Sequence, residues 1–343
     1  MRVLIIDPLF DDRPDIEAEI AGPDVAFDVV RTDEVAGDLV RKADAVIACR
    51  SRRPIRASLI GLMERTRIIV QAGVGYNHID LRACARQGIP VCNTPHYGTR
   101  EVADHAIALT LSLARGVTAY NNRLLFRIGS WGTHTLPLPP VRRLAGQNFG
   151  IIGLGRIGTA TALRAQSFQM SVGFYDPQLP SGQELALGLR RFETLDDLLA
   201  WSDIVSLHCP LTEATRNLID RSAVARMRPG SVLINTARGG VVDLSALEEG
   251  LRSGKVAAAG LDVLPEEPLD PQASLLAAWL ARESWLEGRL ILTPHAAFYT
   301  PESLADMRRL STLTAVSFLR GGRPQNCVNL DDLDRFGPRH DRG

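Results

Sequence analysis

The chain carries no excess charge of either sign: 39 lysines and arginines balance 39 acidic residues. A basic footprint for nucleic acid is therefore missing. Cysteine is scarce, and its spacing is unhelpful to a metal. The five cysteines (Cys49, Cys84, Cys92, Cys209, Cys327) are an odd number and form no C-x-x-C pair. That argues against a zinc site or a disulfide frame, and for buried thiols in a reducing compartment. No uninterrupted apolar stretch approaches the length of a bilayer span. The opening residues Met1–Asp7 are too short an apolar run for a signal peptide and read as a first strand. These absences predict a cytoplasmic protein with no nucleic-acid, membrane or metal partner.

What is present is alternation. At 343 residues the chain is long enough for two domains. Short apolar runs at 3–6, 25–30, 45–48, 68–70 and 90–92 alternate with helical patterns at 15–20, 57–63 and 81–87. This predicts a small parallel sheet covered by helices. A long alanine- and leucine-rich segment, Glu101 to Arg115 and weakly on to about Arg127, reads as one helix with Thr99 as its N-cap. Residues 128–143, rich in proline and glycine, read as an excursion or arm. Alternation then resumes, with six strands expected at 149–152, 171–175, 204–207, 231–235, 257–262 and 290–292. Further helices are expected at 273–285 and 301–320, and a polar tail follows from Gly321.

The most informative segment follows the first of those six strands. Gly153, Gly155 and Gly158 form G-x-G-x-x-G, with a helical segment behind them and a second strand ending at Asp176. Strand, turn, helix and terminal acid together are the dinucleotide fingerprint. Gly153 permits the turn, Gly155 admits the pyrophosphate, and Gly158 lets helix and strand pack. The N–H groups at the start of the helix, read from Thr159 on, point at the phosphates, and Arg156 and Ile157 in the turn count among the cofactor contacts. Arg156 is either a pyrophosphate contact or a solvated side chain. Asp176 is placed to accept from the ribose hydroxyls and to repel a 2′-phosphate, so NAD is favoured over NADP. The five strands before residue 98 lack this motif, so they do not hold the dinucleotide.

Three later segments leave strand ends, the edge that borders the ligand crevice in an open α/β sheet. They are Asn235–Asp243 with Arg238, Gly260–Pro268 with several carboxylates, and Leu292–Ala297 with His295. Arginine can clamp a carboxylate, and histidine can move a proton near neutral pH. Each also has a plainer reading: a surface ion pair, a solvated loop acid, a satisfied polar side chain.

At these residues the sequence resembles the D-2-hydroxyacid dehydrogenase family. The resemblance runs from Gly73-Val-Gly-Tyr-Asn-His-Ile-Asp80 through the glycine motif, His208-Cys-Pro-Leu-Thr212, the Arg238 segment and the Glu-Pro pair to Thr293-Pro-His295. It implies two doubly wound parallel-sheet domains, Rossmann-like and flavodoxin-like, with a cleft between them. The substrate domain would take residues 1–98 plus 298–343. The NAD-binding domain would take 99–297, with a dimerisation helix and arm that make a homodimer. It implies a catalytic set of Arg238, Glu267 and His295, with Glu267 chosen over Glu266 because it precedes Pro268. It further implies a substrate carboxylate on the amides of Val74 and Gly75, and cofactor contacts at His208, Pro210, Thr236, Ala237 and Asp262. The activity implied is reversible reduction of a 2-keto acid to a D-2-hydroxy acid.

Within the family the sequence is most similar to the C-terminal-binding-protein branch, through Ile151–Arg156, Leu163-Arg-Ala, Phe174–Pro177, His295–Tyr299 and Asn326–Asn329. That branch includes corepressors, so an NAD(H)-sensing scaffold that binds protein partners is the alternative. An enzyme acting on another small anion is a third. The corepressors carry tryptophan where this chain has Phe298 and arginine where it has Gln71, both beside the substrate. Cys49-Arg-Ser-Arg-Arg53 resembles a substrate-binding stretch of some phosphoglycerate dehydrogenases, so Arg50 and Arg52 either bind a second anionic group or form a solvated loop.

Overall fold

The computed structural model describes residues 1–10, 13–31, 37–49, 54–126, 131–132, 141–267 and 270–336. They separate into two units, Met1–Gly98 with Tyr299–Gly343, and Thr99–Phe298. Each is built on a wholly parallel sheet.

The first unit holds β1 (Arg2–Ile6), β2 (Ala26–Val30), β3 (Ala45–Ala48), β4 (Ile68–Gln71) and β5 (Val91–Asn93), in the order β2-β1-β3-β4-β5. Its central strands are continuous apolar runs with every residue buried. Strands covered by helices on both faces need that pattern. The Pro301–Leu319 helix packs on β3, β4 and the Asp15–Ala21 helix. It starts well defined: Pro301 presets the first turn, and Thr300 and Ser303 cap each other reciprocally. From it, Arg308 reaches Glu17 at 2.9 and 2.6 Å, and Glu17 is buried. Such a pair is costly to break singly, because the carboxylate would be left buried and unpaired.

Residues 326–336 of the tail pack on the first unit. Asn326–Asn329 lies against β5 as an antiparallel strap. Asn93 N donates to Asn326 O at 3.2 Å, and Val328 N donates to Val91 O at 2.8 Å. The Asn329 amide completes the edge, accepting from Val91 N and donating to Ile89 O. A further helix, Leu330–Phe336, packs on the Leu81–Arg86 helix.

The second unit holds β6 (Asn148–Ile152), β7 (Ser171–Tyr175), β8 (Arg190–Arg191), β9 (Ile204–Leu207), β10 (Ser231–Asn235), β11 (Val256–Leu261) and β12 (Leu290–Leu292). Their order is β12-β11-β10-β9-β6-β7-β8. The six strands read from sequence are there, and β8 is a seventh. It has two residues, both arginine, so no apolar pattern marks it.

The expected single helix from Glu101 to about Arg127 is two, Thr99–Ala114 and Val117–Phe126, broken at Gly116 with φ 64°. Arg-Gly here is an ordinary left-handed helix stop. Thr99 lies in the first turn of the helix and is not its cap. The apolar face of Thr99–Ala114 is covered within its own unit. Ile107, Leu109 and Leu113 join the core under β6 and β10, and the helix packs on the Arg156–Ser167 helix. The helix expected over 273–285 is shorter, Ser274–Leu280, followed by a 3-10 turn at Ser284–Leu286. Among the described residues, no helix is long and apolar enough to cross a membrane.

Candidate active site

The glycine turn after β6 is held by contacts that only glycine allows. Gly153 adopts φ 92°, and a Cβ there would sit 2.8 Å from Cys209 N. A Cβ on Gly158 would meet the Gly153 carbonyl oxygen at 2.1 Å. The Arg156–Ser167 helix therefore starts hard against β6, with no side-chain cap on its first N–H groups. Beside Gly155 there is open space: a Cβ would meet nothing within 4 Å. Arg156 is exposed and Ile157 half-buried.

Asp176, at the end of β7, turns back to this loop. Its Oδ2 accepts from Leu154 N at 2.9 Å and its Oδ1 from Gln178 N at 3.0 Å. A carboxylate can accept about four hydrogen bonds, so capacity remains for ribose hydroxyls. The main chain of His208 and Cys209 lies behind the turn, and Pro210, exposed, follows it. The His208 ring lies 2.9 Å from Ser206 Oγ, and burial pushes its pKa down, so the ring is neutral. At the end of β10 the Thr236 hydroxyl is buried with no hydrogen-bond partner among the described residues. An orphaned buried hydroxyl is uncommon and suits a site completed by a ligand. Open space at Gly155, spare acceptors on Asp176 and the orphaned Thr236 together fit a dinucleotide.

Arg238 follows on a turn built by Asn235. The Asn235 amide accepts from Ala237 N at 3.0 Å and donates to Arg238 O at 3.0 Å. Sequence reasoning missed this, although asparagine before a short turn is its usual signal. The next residue, Gly239, packs against the main chain of Leu264, where a Cβ would lie 1.9 Å from the carbonyl carbon. That contact brings the Arg238 turn to the loop carrying Glu267.

Glu267 and His295 are joined. His295 Nδ1 lies 2.6 Å from Glu267 Oε2, while Glu267 Oε1 accepts from Leu264 N at 3.1 Å. Burial alone would raise the Glu267 pKa. The hydrogen bond and charge of His295, with the nearby charge of Arg238, more than offset it and hold the carboxyl below its usual range. The two side chains are 37% and 34% exposed, so the pair stands where a ligand can reach it. His295 sits at φ 55°, a left-handed conformation uncommon for a residue other than glycine.

Asp262 explains how that conformation is kept. The family resemblance puts it beside the nicotinamide carboxamide. Here its buried carboxylate accepts from Thr293 Oγ1 (2.6 Å), Ala296 N (2.9 Å) and Ala297 N (3.0 Å), and its carbonyl accepts from His295 N (2.8 Å). His105 Nε2 lies 3.0 Å from Thr293 Oγ1 and extends the network. Phe298 meets the His295 ring edge-on, centroids 6.4 Å apart.

In the first unit, β4 ends at Gln71 and leads into the Gly73–Gly75 loop. Asn93 Nδ2 donates to Val74 O at 2.8 Å, and Thr94 N donates to Gly73 O at 3.1 Å. The N–H groups of Val74 and Gly75 have no acceptor among the described residues. Gln71 is buried, and its amide oxygen has no partner among the described residues. Arg50 and Arg52 lie outside the described residues.

Residues 107–297 match the sequence profile described as "D-isomer specific 2-hydroxyacid dehydrogenase, NAD binding domain". The chain belongs to the D-isomer-specific 2-hydroxyacid dehydrogenase family. Its second unit carries that family's NAD-binding domain, and NAD is the cofactor. A glyoxylate reductase of Korarchaeum cryptofilum is 37% identical over 293 residues, 85% of this chain and 84% of that one. A second glyoxylate reductase, of Aeropyrum pernix, is 37% identical over 296 residues, with the same coverage. Among solved structures, the D-lactate dehydrogenase of Aquifex aeolicus, complexed with NAD and lactic acid, is 29% identical. It superposes with a TM-score of 0.82 over 98% of this chain and 99% of that one.

Proposed function

We propose that this dehydrogenase interconverts a small 2-keto acid and the D-2-hydroxy acid, with Arg238, Glu267 and His295 as its catalytic residues. The observation that carries the reading is the 2.6 Å contact of His295 Nδ1 with Glu267 Oε2, close enough to Arg238 for its charge to act on Glu267. Glu267 fixes the ring so that Nδ1–H donates to it. That leaves Nε2 as the atom that gives a proton to the substrate oxygen in reduction and takes it back in oxidation. Glu267 stabilises the imidazolium that alternates with the neutral ring. Arg238 binds the substrate carboxylate and polarises the carbonyl. Asp262 positions His295 by holding the turn beneath it. NADH, when bound, supplies the hydride.

Gly153, Gly155, Arg156, Ile157, Gly158, Asp176, His208, Pro210, Thr236 and Ala237 are assigned to holding the cofactor. The free amides of Val74 and Gly75 are assigned to the substrate carboxylate, with Gln71 and Phe298 bordering it. Arg50 and Arg52 are assigned to a second anionic group on the substrate. The two glyoxylate reductases above support a small keto acid as substrate. A panel of 2-keto acids with NADH, followed at the nicotinamide absorbance band, tests the reading. Oxidation of NADH with at least one of them is expected, and none with any would overturn it. Partner binding, as in the corepressor branch, is the reading left if no keto acid is turned over.

A homodimer belongs to the same proposal. The Thr99–Ala114 helix is covered within its own unit, so its apolar character does not carry the argument. Val117, Leu125, Trp131 and Val141 do, because each is exposed. Light scattering at micromolar concentration is expected to give twice the chain mass; a monomer would refute the dimer.

A further inference from the structure

Cys92 and Cys327 are far apart in sequence and paired in space. Cys92 is the middle residue of β5, and Cys327 lies opposite it in the strap, the two forming an antiparallel bridge. The hydrogen bonds Asn93 N to Asn326 O and Val328 N to Val91 O flank the pair on either side. That pattern defines a non-hydrogen-bonded position, where opposed Cα atoms are about 4.5 Å apart and the side chains are at their closest. A disulfide accepts Cα separations of about 4.4–6.8 Å, so only a small spreading of β5 and the strap, from the short end of that range, is needed to form one. The two side chains are near enough that each shifts the other's thiol pKa, Cys92 up and Cys327 down. Cys327 Sγ is also 3.2 Å from Asn329 Oδ1.

The two thiols are unequal in a useful way. Cys92 is fully buried, and Cys327 is half-buried. The hydrogen bond from Cys92 holds Cys327 below the ordinary thiol range despite its burial. Cys84 and Cys209 are pushed up by burial, to about 12 and about 11. Cys327 is thus placed to react as thiolate, with Cys92 beside it to resolve the product.

We propose that Cys92 and Cys327 are an oxidation site: a dithiol that a peroxide closes to a disulfide, locking the strap to β5. The Cys327 thiolate attacks one peroxide oxygen, the O–O bond breaks, and the leaving hydroxide takes a proton to become water. Cys327 is then a sulfenic acid. The Cys92 sulfur, giving up its proton, attacks the Cys327 sulfur. The S–O bond breaks, and the hydroxide leaves with that proton as a second water. The two thiols lose two electrons and the peroxide gains them, so no other acceptor is needed. A small dithiol reverses the change. The lock sits one residue from Asn93, whose side chain holds Val74. On the assignment of Val74 and Gly75 to the substrate carboxylate, closure of the disulfide therefore alters substrate binding and leaves the cofactor turn untouched.

The test uses the full chain, treated with hydrogen peroxide under native conditions, alkylated and digested. Two of its five thiols are expected to be lost, with one linked peptide joining Cys92 to Cys327. Cys92→Ser is expected to leave Cys327 as a sulfenic acid trapped by a carbon nucleophile, and Cys327→Ser to leave Cys92 unmodified. A link between other cysteines, or no sulfenic acid at Cys327 in the Cys92→Ser chain, would overturn the site. In the same samples KM for the keto acid is expected to rise on oxidation and return with dithiothreitol, while NADH affinity holds. An unchanged KM beside a formed link would overturn the coupling to the Val74 loop. A reduced chain that turns over no keto acid counts against the proposed activity, and the linked peptide still decides this one.

Discussion

The two sheets of this protein begin alike and diverge within a few residues. In each, the first strand of the unit lies where the strand order reverses, β1 between β2 and β3, and β6 between β7 and β9. In each, the residue after that strand has positive φ, Asp7 at 52° and Gly153 at 92°. After β6 the chain opens at Gly155 and enters a helix with no acidic residue in its first turn. After β1 come Pro8, Leu9 and Phe10, and Arg308 lies over the Phe10 ring at 3.9 Å. The helix that follows opens with Asp15 and Glu17 in its first turn. Both first-turn acids are bonded to Arg308, whereas the start of the Arg156–Ser167 helix carries no such pairing of acid and arginine. Topology thus supplies two crevices, and local sequence equips only the second for an anionic dinucleotide.

The largest expected effect tests whether chemistry also belongs to the second sheet. His295→Ala should cut turnover by about two to four orders of magnitude with little change in NADH affinity. Survival of turnover would assign the proton to another group. Next is Asp176→Ser. A hydrogen bond to a charged group is worth about 1.5–3 kcal/mol, so the preference for NAD over NADP should narrow by roughly tenfold to a hundredfold. Equal use of both cofactors by the unaltered chain would remove Asp176 from that role.

A paired substitution sharpens the comparison directly. In Gly158→Ala the added Cβ has no rotamer to escape into, and overpacking costs about 1–3 kcal/mol. NADH affinity, read by fluorescence titration, should fall by about tenfold, while Asp7→Gly should leave it unchanged. Loss of NADH binding in the Asp7 variant would mean that the first crevice takes part.

The smallest effect is on stability. The Glu267 carboxyl is held below its ordinary value of 4.5 in the folded chain. A depressed carboxyl stabilises the fold above its unfolded pKa and loses that contribution as pH falls through the folded one. Glu267→Gln should therefore melt lower than the unaltered chain at neutral pH. The gap should close as pH drops below about 4.5. Melting curves across that range check the sign, and a gap that widens in acid contradicts it.

Much of this was legible before any coordinates. Buried parallel strands are continuous apolar runs, so 45–48, 171–175, 204–207, 231–235 and 290–292 read out with the bounds observed. The choice of Glu267 over Glu266 came from the family resemblance, in which the acid precedes a proline, and Glu267 is the one that meets His295. What stayed hidden was what hydrophobicity does not encode. β8 is two arginines, and the helix Leu330–Phe336 is mostly polar. The support of His295 comes from Asp262, whose partners lie about thirty residues on. The approach of the Arg238 turn to the Glu267 loop rests on a missing Cβ at Gly239, which no periodicity announces.

The strap on β5 also has a consequence for how the chain comes to be folded. The first sheet exposes the outer edge of β5 until residues 326–329 arrive, and the helix that covers β3 and β4 comes from the same late stretch. Between residue 98 and that stretch, all of Thr99–Phe298 must be synthesised. At roughly 5–20 residues per second, the nascent sheet waits on the order of ten seconds or more with an unpaired strand edge, the usual template for association between chains. The unit whose sequence begins first is thus the last to be sealed. Truncations or fusions that delay residues 326–329 act on yield through that exposed edge while leaving the chemistry of the second unit intact.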